Sequence, residues 1–342
     1  MGEMSAIAAN PDTVGDVLGA LRAAVAANHA ARSAELERLI VALRARAYAA
    51  QAPAVPRADW PPVYPDPAPG LRGIPQIDAA QLDVATLGGA IMHHGSLHVR
   101  GLLSTEQASV FQDGIDRAFA GRDAHRAAVG AGTDLADLAP WYAHAPEGSY
   151  TPNRHWVEDG GGVWTADSPR VMFDLIEMFE TSGITAMIGD FLGERPALSI
   201  GKSTLRRVPP VLAHGLDPDW HQDGAFLGAN VRSMNVWIAV SDCGTAAPGM
   251  EVIGERLPYV LQSGSHGAHF DWAVGPGMVD LLAQGGAPID IPQFRAGDAL
   301  IFDHLMLHRT SVRPGMVLPR WAIESWFFAP STYPMDQGPL YI

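Results

Sequence analysis

Four segments of the sequence decide the fold, and the first of them reads DWHQDG at residues 219–224. The β-rich run MNVWIAV follows at residues 234–240, and AGDALIFDHLMLH occupies residues 296–308. The last segment, RWAIESW, spans residues 320–326. Short runs of this kind, separated by glycine and proline, predict an antiparallel barrel or sandwich. Because helical patterns precede them in the chain, we expect a mainly β core with flanking helices.

Two His-x-Asp patterns raise the question of a metal site. Residues i and i+2 of a strand point to the same face, so such a pair delivers an imidazole and a carboxylate to one ion. Chance alone accounts for about one occurrence in a chain of this composition, and the chain has two, at His221 with Asp223 and at His269 with Asp271. The second lacks the Trp-His-x-Asp-Gly frame that surrounds the first, so we expect it to lie in a loop.

The order of the four segments resembles the phytanoyl-CoA dioxygenase family of iron(II)/2-oxoglutarate oxygenases. The resemblance covers roughly residues 77–330 and includes residues 95–107, which are similar to the family's opening strand and helix. It implies a double-stranded β-helix, also called a jelly roll or cupin-like barrel, with iron at its open end. The sequence departs from the family where Pro-Gly-Ser-His is common. There residues 249–256 read GMEVIGER, and the related SGSH comes later, at residues 263–266.

The resemblance implies a metal-binding triad of His221, Asp223 and His308. Three protein ligands on one face leave three positions for a bidentate 2-oxo acid and for O2, and imidazole and carboxylate suit iron(II). His304 is the rival of His308 as the distal ligand. We favour His308 because the family pattern places the ligand at the end of the strand.

The resemblance also implies that Arg320 pairs with the distal carboxylate of 2-oxoglutarate. A planar guanidinium matches a carboxylate in bidentate fashion. Its rival, Arg313, lies in a loop, whereas Arg320 begins a strand. Three weaker candidates for co-substrate contacts follow the family's pattern: Lys202, Asn235 and Thr310. The first of these falls in a predicted strand at residues 198–207.

The implied reaction uses Fe(II), 2-oxoglutarate and O2 to oxidise a C–H bond of a small organic molecule, with formation of succinate and CO2. Hydroxylation is the expected outcome, while desaturation, ring closure and epoxidation stay open. The segment at residues 154–164, together with Phe226, predicts a lid that excludes water. Three alternatives remain. One is a metal-dependent cupin-type isomerase or hydrolase, for which Arg320 would be unnecessary, and the second is a non-catalytic ligand-binding member of the same fold. The third is an interaction module built around the N-terminal helical segment, with the barrel as scaffold.

The composition narrows the classes of partner. The formal charge of −14 argues against nucleic acid and against an anionic membrane surface, because binding to either grows with the number of Lys and Arg. The single cysteine, Cys243, excludes an internal disulfide and a thiolate zinc site. No apolar run approaches the ~18 residues of a membrane span, and no signal peptide is recognisable. We therefore expect a cytoplasmic protein with a small-molecule substrate.

The sequence predicts three parts in the chain. Residues 1–50 form a tail and an amphipathic helical segment with a break near residues 28–33, which predicts either a homodimer helix or helices packed on their own domain. Residues 51–76 are rich in proline and predict an extended linker. Residues 77–342 form one barrel domain. Within that domain, Ser-Pro at the start of residues 168–192 predicts one helix over that range.

Overall fold

A computed structural model describes residues 13–52, 54–57, 59–128, 138–143, 157–158, 160–211, 219–334 and 336–342. The helices are α1 (Val14–Ala30), α2 (Ala34–Ala49), α3 (Val84–His94), α4 (Thr105–Ala128), α5 (Pro169–Thr181), α6 (Ile184–Leu192), α7 (Gly224–Leu227) and α8 (Pro276–Gln284). The strands are β1 (Gln76–Asp78), β2 (Ser96–Arg100), β3 (Gly162–Trp164), β4 (Ala197–Ser199), β5 (Thr204–Val208), β6 (Ser233–Ala239), β7 (Gly249–Ile253), β8 (Ile289–Asp290), β9 (Ala299–Phe302), β10 (His308–Ser311), β11 (Arg320–Phe328) and β12 (Pro339–Tyr341).

The strands form two sheets. The larger one runs in the order β1-β2-β9-β6-β11-β4-β12, and β5 pairs with both β11 and β3. The pair β1–β2 is parallel, whereas the other pairs in this sheet are antiparallel. The smaller sheet has the antiparallel order β10-β7-β8. This arrangement confirms the predicted mainly β core with flanking helices, and the sheets position the two histidines discussed below.

The central strand β6 is buried on both of its faces. Val236 and Ile238 point toward the helices and join a core cluster with Leu175 of α5 and Ile188 of α6. Trp237 points the opposite way, into the interior of the barrel. Successive side chains of a strand alternate between faces, so β6 is apolar on both because helices cover one face and the barrel closes over the other.

The N-terminal helices α1 and α2 pack on the body of the chain. Residues 31–33 are not helical and separate the two helices. Ser33 caps α2 by accepting a hydrogen bond from the Leu36 amide at 3.1 Å. The carboxylate of Glu37, which is fully buried, pairs with Arg32 and with Arg170 of α5, each at 2.8 Å. The apolar stripe of these helices is thus used inside the chain, packing on Phe173, while association between two chains stays a prediction.

The proline-rich stretch lies against the helices as an extended chain. Its Trp60 and Tyr64 pack on Phe191 of α6, with ring centroids 5.7 and 6.2 Å apart. At Gly89 of α3, an added Cβ would lie 2.1 Å from a backbone oxygen of this stretch, so only glycine allows the close approach. The stretch is therefore held against the domain along part of its length. The boundaries at residues 50 and 76 stay a prediction.

Two local predictions were wrong. The helix predicted over residues 168–192 is two helices, because Gly183 adopts φ +77 and separates α5 from α6. The strand predicted over residues 198–207 is also interrupted, since a turn at residues 200–203 separates β4 from β5. Among the described helices, none combines the length and apolar character that a membrane crossing requires.

Candidate metal centre and its two cavities

Three predicted ligands meet at one point of the structure. The ligand atoms of His221, Asp223 and His308 all lie within 4.8 Å of one another. His221 and Asp223 directly precede α7, and His308 begins β10. The amide of His221 donates to the carbonyl of His308 at 2.9 Å, and the amide of His308 donates back at 3.0 Å. This two-way bridge brings together ligands from distant parts of the sequence.

Both imidazoles are oriented by carbonyl groups two residues earlier in the chain. Nδ1 of His221 lies 3.2 Å from the Asp219 carbonyl oxygen, and Nδ1 of His308 lies 3.0 Å from that of Met306. A carbonyl oxygen only accepts, so each Nδ1 carries the proton and each Nε2 keeps its lone pair. Burial and the neighbouring His308 lower the pKa of His221 to about 4, so this imidazole is neutral at pH 7.

Gln222, between the two ligands of the His-x-Asp pair, holds the segment from behind. It is fully buried, and its amide nitrogen donates to the carbonyls of Tyr259 and Leu305 at 3.0 and 2.6 Å. Its side-chain oxygen accepts from the Leu261 amide at 2.7 Å. Three hydrogen bonds thus fix the loop that carries the ligands. Sequence reasoning missed this residue, because a buried glutamine in a loop leaves no periodic signal.

The donor set fits a divalent first-row metal such as iron(II). Two imidazoles and one carboxylate on one face match the two-histidine, one-carboxylate arrangement, which leaves coordination positions open. Oδ2 of Asp223 lies 3.7 Å from Nε2 of His308, so the acceptor atoms converge. Iron(II) would be held by His221, Asp223 and His308.

The rival residues are engaged elsewhere. Nδ1 of His304 lies 3.0 Å from the hydroxyl of Ser233, and its Nε2 lies 3.3 Å from the carbonyl oxygen of Ala229. Both ring nitrogens therefore have partners away from the triad. Nδ1 of the half-exposed His269 lies 2.6 Å from Oδ1 of Asp219, so this histidine of the second His-x-Asp pattern is also engaged away from the triad.

A cavity of about 590 Å³ adjoins the triad, and we call it the Arg320 cavity. Five of the residues that the sequence singled out line it: His221, Asn235, His308, Thr310 and Arg320. Arg320 is 3% exposed, and its Nη1 donates to the Gly249 carbonyl at 2.7 Å. Its Nε has no hydrogen-bond partner among the described residues. Burial lowers the pKa of Arg320 to about 10, so the guanidinium stays charged at pH 7.

Arg313 differs from Arg320 in both exposure and pairing. Its side chain is 39% exposed, and its Nε lies 3.4 Å from a carboxylate oxygen of Glu251. That carboxylate also pairs with Arg309. Arg313 does not line the Arg320 cavity, so the two arginines differ in position as well, and the preference for Arg320 as the co-substrate contact stays a prediction.

A second cavity, of about 1120 Å³, lies on the Asp223 side of the triad, and we call it the Trp272 chamber. The rings of Trp272 and Phe226 stand at 90° to each other with centroids 6.2 Å apart. Trp272 also meets the His221 ring edge-on at 5.6 Å. Trp164 and Phe226, both assigned to the predicted lid, line the chamber, while residues 154–156 and 159 of that segment lie outside the described ranges.

Lys202 lies in the Trp272 chamber and does not line the Arg320 cavity. Its Nζ is 3.2 Å from Oδ1 of Asp223 and 4.1 Å from the centre of the Phe226 ring. The side chain is 7% exposed. Lys202 belongs to the turn between β4 and β5, which directs it at a metal ligand instead of along a strand.

Two further charged residues, Arg206 and Glu324, line both cavities, and sequence reasoning missed them. Glu324 of β11 accepts hydrogen bonds from Thr204 at 3.0 Å and from Arg206 at 3.2 Å. Burial opposes ionisation of Glu324, but the charges of Arg206 and Lys202 outweigh it and lower the pKa to about 2. Strand alternation offered a signal for Glu324, because it lies four residues after Arg320 on the same face.

Comparisons with known proteins bear on the fold. No model of a known protein family matches the sequence, and no curated protein matches it either. Among solved structures, the chain is similar to EctD from S. alaskensis, crystallised with 2-oxoglutarate and 5-hydroxyectoine, with a TM-score of 0.51 and 14% identity over 78% of this chain and 86% of that one. This likeness confirms the double-stranded β-helix.

Two other solved structures match less closely. The non-heme alpha ketoglutarate dependent carbocyclase SnoK from nogalamycin biosynthesis has a TM-score of 0.45 and 14% identity, over 74% of this chain and 87% of that one. AviO1 from Streptomyces viridochromogenes Tue57 has a TM-score of 0.42 and 17% identity, over 73% of this chain and 97% of that one.

Proposed function

We propose that the chain is an iron(II)- and 2-oxoglutarate-dependent oxygenase that hydroxylates a C–H bond of a small organic molecule. One observation carries the proposal. The convergent triad of His221, Asp223 and His308 adjoins a cavity whose buried cation, Arg320, has an unpartnered Nε. The fold shared with EctD, a structure that contains 2-oxoglutarate, supports the proposal. Membership of the phytanoyl-CoA dioxygenase family rests on the sequence resemblance.

The triad would hold iron(II) through two imidazole Nε2 atoms and a carboxylate oxygen. When bound, iron(II) would supply the activation of O2 that couples decarboxylation of 2-oxoglutarate, to succinate and CO2, with oxidation of the substrate. The chain's own contribution is to orient both imidazoles. The carbonyls of Asp219 and Met306 do this by accepting from each Nδ1, which leaves each Nε2 to face the metal.

Arg320 is suited to bind the distal carboxylate of the co-substrate. A buried guanidinium is costly unless an anion pairs with it, and no described carboxylate forms an ion pair with Arg320. Its free Nε–H offers a donor to such an anion. A metal-dependent isomerase or hydrolase has no use for such a cation, which favours the oxygenase over this alternative.

The Trp272 chamber is suited to the substrate. It opens beside Asp223 and His221, and it combines aromatic rings with a few polar side chains, as small-molecule pockets do. The rings of Trp164, Phe226 and Trp272 make its walls largely apolar. A substrate packed against these rings would exclude water from the reacting centre, which protects the protein from stray oxidation.

Anaerobic titration tests the proposal. Iron(II) and 2-oxoglutarate added together to the wild-type protein should produce the weak visible charge-transfer band of the chelate, whereas either one alone should not. Admission of O2 should then yield succinate. Absence of the band with both present would refute the oxygenase. A band without any succinate would instead establish the non-catalytic ligand-binding alternative.

A further inference from the structure

We infer that Lys202 is a positioning residue that restricts Asp223 to binding the metal through a single carboxylate oxygen. The inference rests on the proposed function. The carboxylate of Asp223 has two oxygens with different neighbours: Oδ1 lies 3.2 Å from the Lys202 ammonium, and Oδ2 lies 3.7 Å from Nε2 of His308. The Lys202 ammonium is therefore within hydrogen-bonding distance of Oδ1, whereas Oδ2 faces the imidazoles.

The position of Lys202 is itself tightly determined. Its backbone amide donates to the hydroxyl of Ser199 at 3.1 Å, which anchors the turn. Its ammonium lies over the Phe226 ring, and such a contact is favourable for a desolvated cation. Only 7% of the side chain is exposed, and the contacts with Oδ1 of Asp223 and with the Phe226 ring hold the ammonium in place on the chamber wall.

The electrostatic environment of Lys202 favours this arrangement. The ammonium also acts on Glu324, whose carboxylate it helps to keep ionised, and Glu324 is already paired with Arg206. Asp223 is then the carboxylate in direct contact with Lys202. A cation placed this close to a metal site opposes metal binding by Coulomb repulsion, so metal affinity does not explain its position.

The position of Lys202 is explained by its effect on how the Asp223 carboxylate binds the metal. A carboxylate that is free on both sides can bind a metal through both oxygens, and it would then fill one of the positions that a bidentate 2-oxo acid and O2 require. A hydrogen bond from an ammonium to Oδ1 withdraws that oxygen from the metal. Lys202 thus preserves open positions, as partners of metal ligands commonly do.

The test compares Lys202→Met with the matched control Lys202→Arg, with cobalt(II) alone as the first probe. Methionine has a similar length but neither charge nor donor, whereas arginine keeps both. We expect Lys202→Met to bind cobalt(II) roughly threefold to tenfold more tightly, because a repelling charge is gone and a second oxygen is freed. Its visible d–d spectrum should differ from that of the wild type, because a second carboxylate oxygen then takes one of the open positions. Lys202→Arg should match the wild type in both measurements.

The second probe is 2-oxoglutarate, titrated calorimetrically into the cobalt-loaded proteins. We expect about tenfold weaker binding to Lys202→Met and wild-type binding to Lys202→Arg. An unchanged cobalt(II) spectrum in Lys202→Met, with 2-oxoglutarate binding alone weakened, would mean that Lys202 contacts the co-substrate directly, and the inference would be wrong. It would also be wrong if cobalt(II) affinity fell along with thermal stability.

The proposed function and this inference can fail separately. If the wild-type protein binds cobalt(II) but not 2-oxoglutarate, the oxygenase is refuted, while the cobalt(II) spectra still decide the role of Lys202. If the wild type binds both and the Lys202→Met spectrum is unchanged, only the inference is lost.

Discussion

The main chains of His221 and His308 are hydrogen-bonded to each other in both directions, at 2.9 and 3.0 Å. This pairing places the two imidazole rings side by side, with centroids 4.3 Å apart. The main chain, as well as the side chains, therefore determines where the ligands lie. A substitution at either histidine should remove one ligand and leave the backbone bridge intact.

Replacing His308 by alanine should weaken iron(II) binding by at least about 100-fold, with the protein still folded. The control is His304→Ala, which should keep the metal affinity. It should lower the free energy of unfolding by about 1 kcal/mol, because the hydrogen bonds with Ser233 and Ala229 are lost. Competition with a metal-binding dye and thermal melting measure the two effects. The reverse result would make His304 the ligand.

Replacing Arg320 by alanine should weaken 2-oxoglutarate binding about 100-fold, since a charge-assisted pair in a buried cavity is lost. Arg313→Ala should change it less than threefold, because Arg313 is partly exposed and already pairs with Glu251. Calorimetric titration of the metal-loaded proteins gives both values. Equal effects in the two variants would show that the Arg320 cavity does not hold the co-substrate carboxylate.

Replacing Gln222 by leucine should lower the metal affinity about 10-fold to 100-fold. The substitution removes three hydrogen bonds and leaves the buried amide of Leu261 without its acceptor. The exposed Gln284 on α8 provides a matched control, and Gln284→Leu should leave the metal affinity unchanged. If Gln222→Leu binds metal as the wild type does, the ligands do not depend on this residue.

Stability in acid should depend on Asp298, the aspartate of the Gly-Asp turn before β9. Burial opposes its ionisation, but the nearby His98, amides of Arg295 and Gly101, and Arg100 outweigh it and lower the pKa of Asp298 well below its usual range. Because the folded-state pKa is the lower one, the ionised carboxylate stabilises the fold above about pH 4. That contribution is lost as the pH falls toward the folded-state value.

Asp298→Asn should therefore lower the free energy of unfolding by about 3 kcal/mol at pH 7. The difference in this free energy between the variant and the wild type should shrink below about pH 4. Urea denaturation between pH 3 and pH 7 measures both. The exposed Asp280 serves as the control, and Asp280→Asn should differ little from the wild type. A difference that grows as the pH falls would contradict the assignment.

Replacing Glu37 by alanine should destabilise the fold by about 2 kcal/mol, because the buried carboxylate that joins α2 to Arg32 and to Arg170 of α5 is lost. Glu35, on the same helix but 61% exposed, is the matched control. Glu35→Ala should cost well under 1 kcal/mol. Denaturant unfolding gives both values, and metal affinity should be unchanged in either variant. Equal stability of the two variants would show that Glu37 does not secure the helical segment.

The triad was predictable from sequence because its signals are local. His221 and Asp223 are two residues apart, and His308 follows an apolar run that a glycine-aspartate turn introduces. The structure brings all three together. The position of Arg320 could be predicted for the same reason, because this residue begins a strand whose alternate residues face the interior.

The contacts around the triad could not be predicted from the sequence, because they join segments that are distant along the chain. The sequence predicts that Lys202 lies in a strand. In the structure it lies in a turn that contains no proline, and this turn directs its side chain toward Asp223. The ionisation of Glu324 depends on Arg206, on a neighbouring strand of the folded sheet. Gln222 binds two loops that come together only when the barrel closes.

The position of the ligands along the chain has a consequence for folding. His221 lies before β6 and His308 lies after β9, so the centre does not exist until the barrel between them has formed. A metal ion therefore binds the native state and not the unfolded chain. At a free concentration about 100 times its dissociation constant, an ion would add about 2.7 kcal/mol to the stability. In a cell, metal supply would then regulate how much of this protein survives proteolysis.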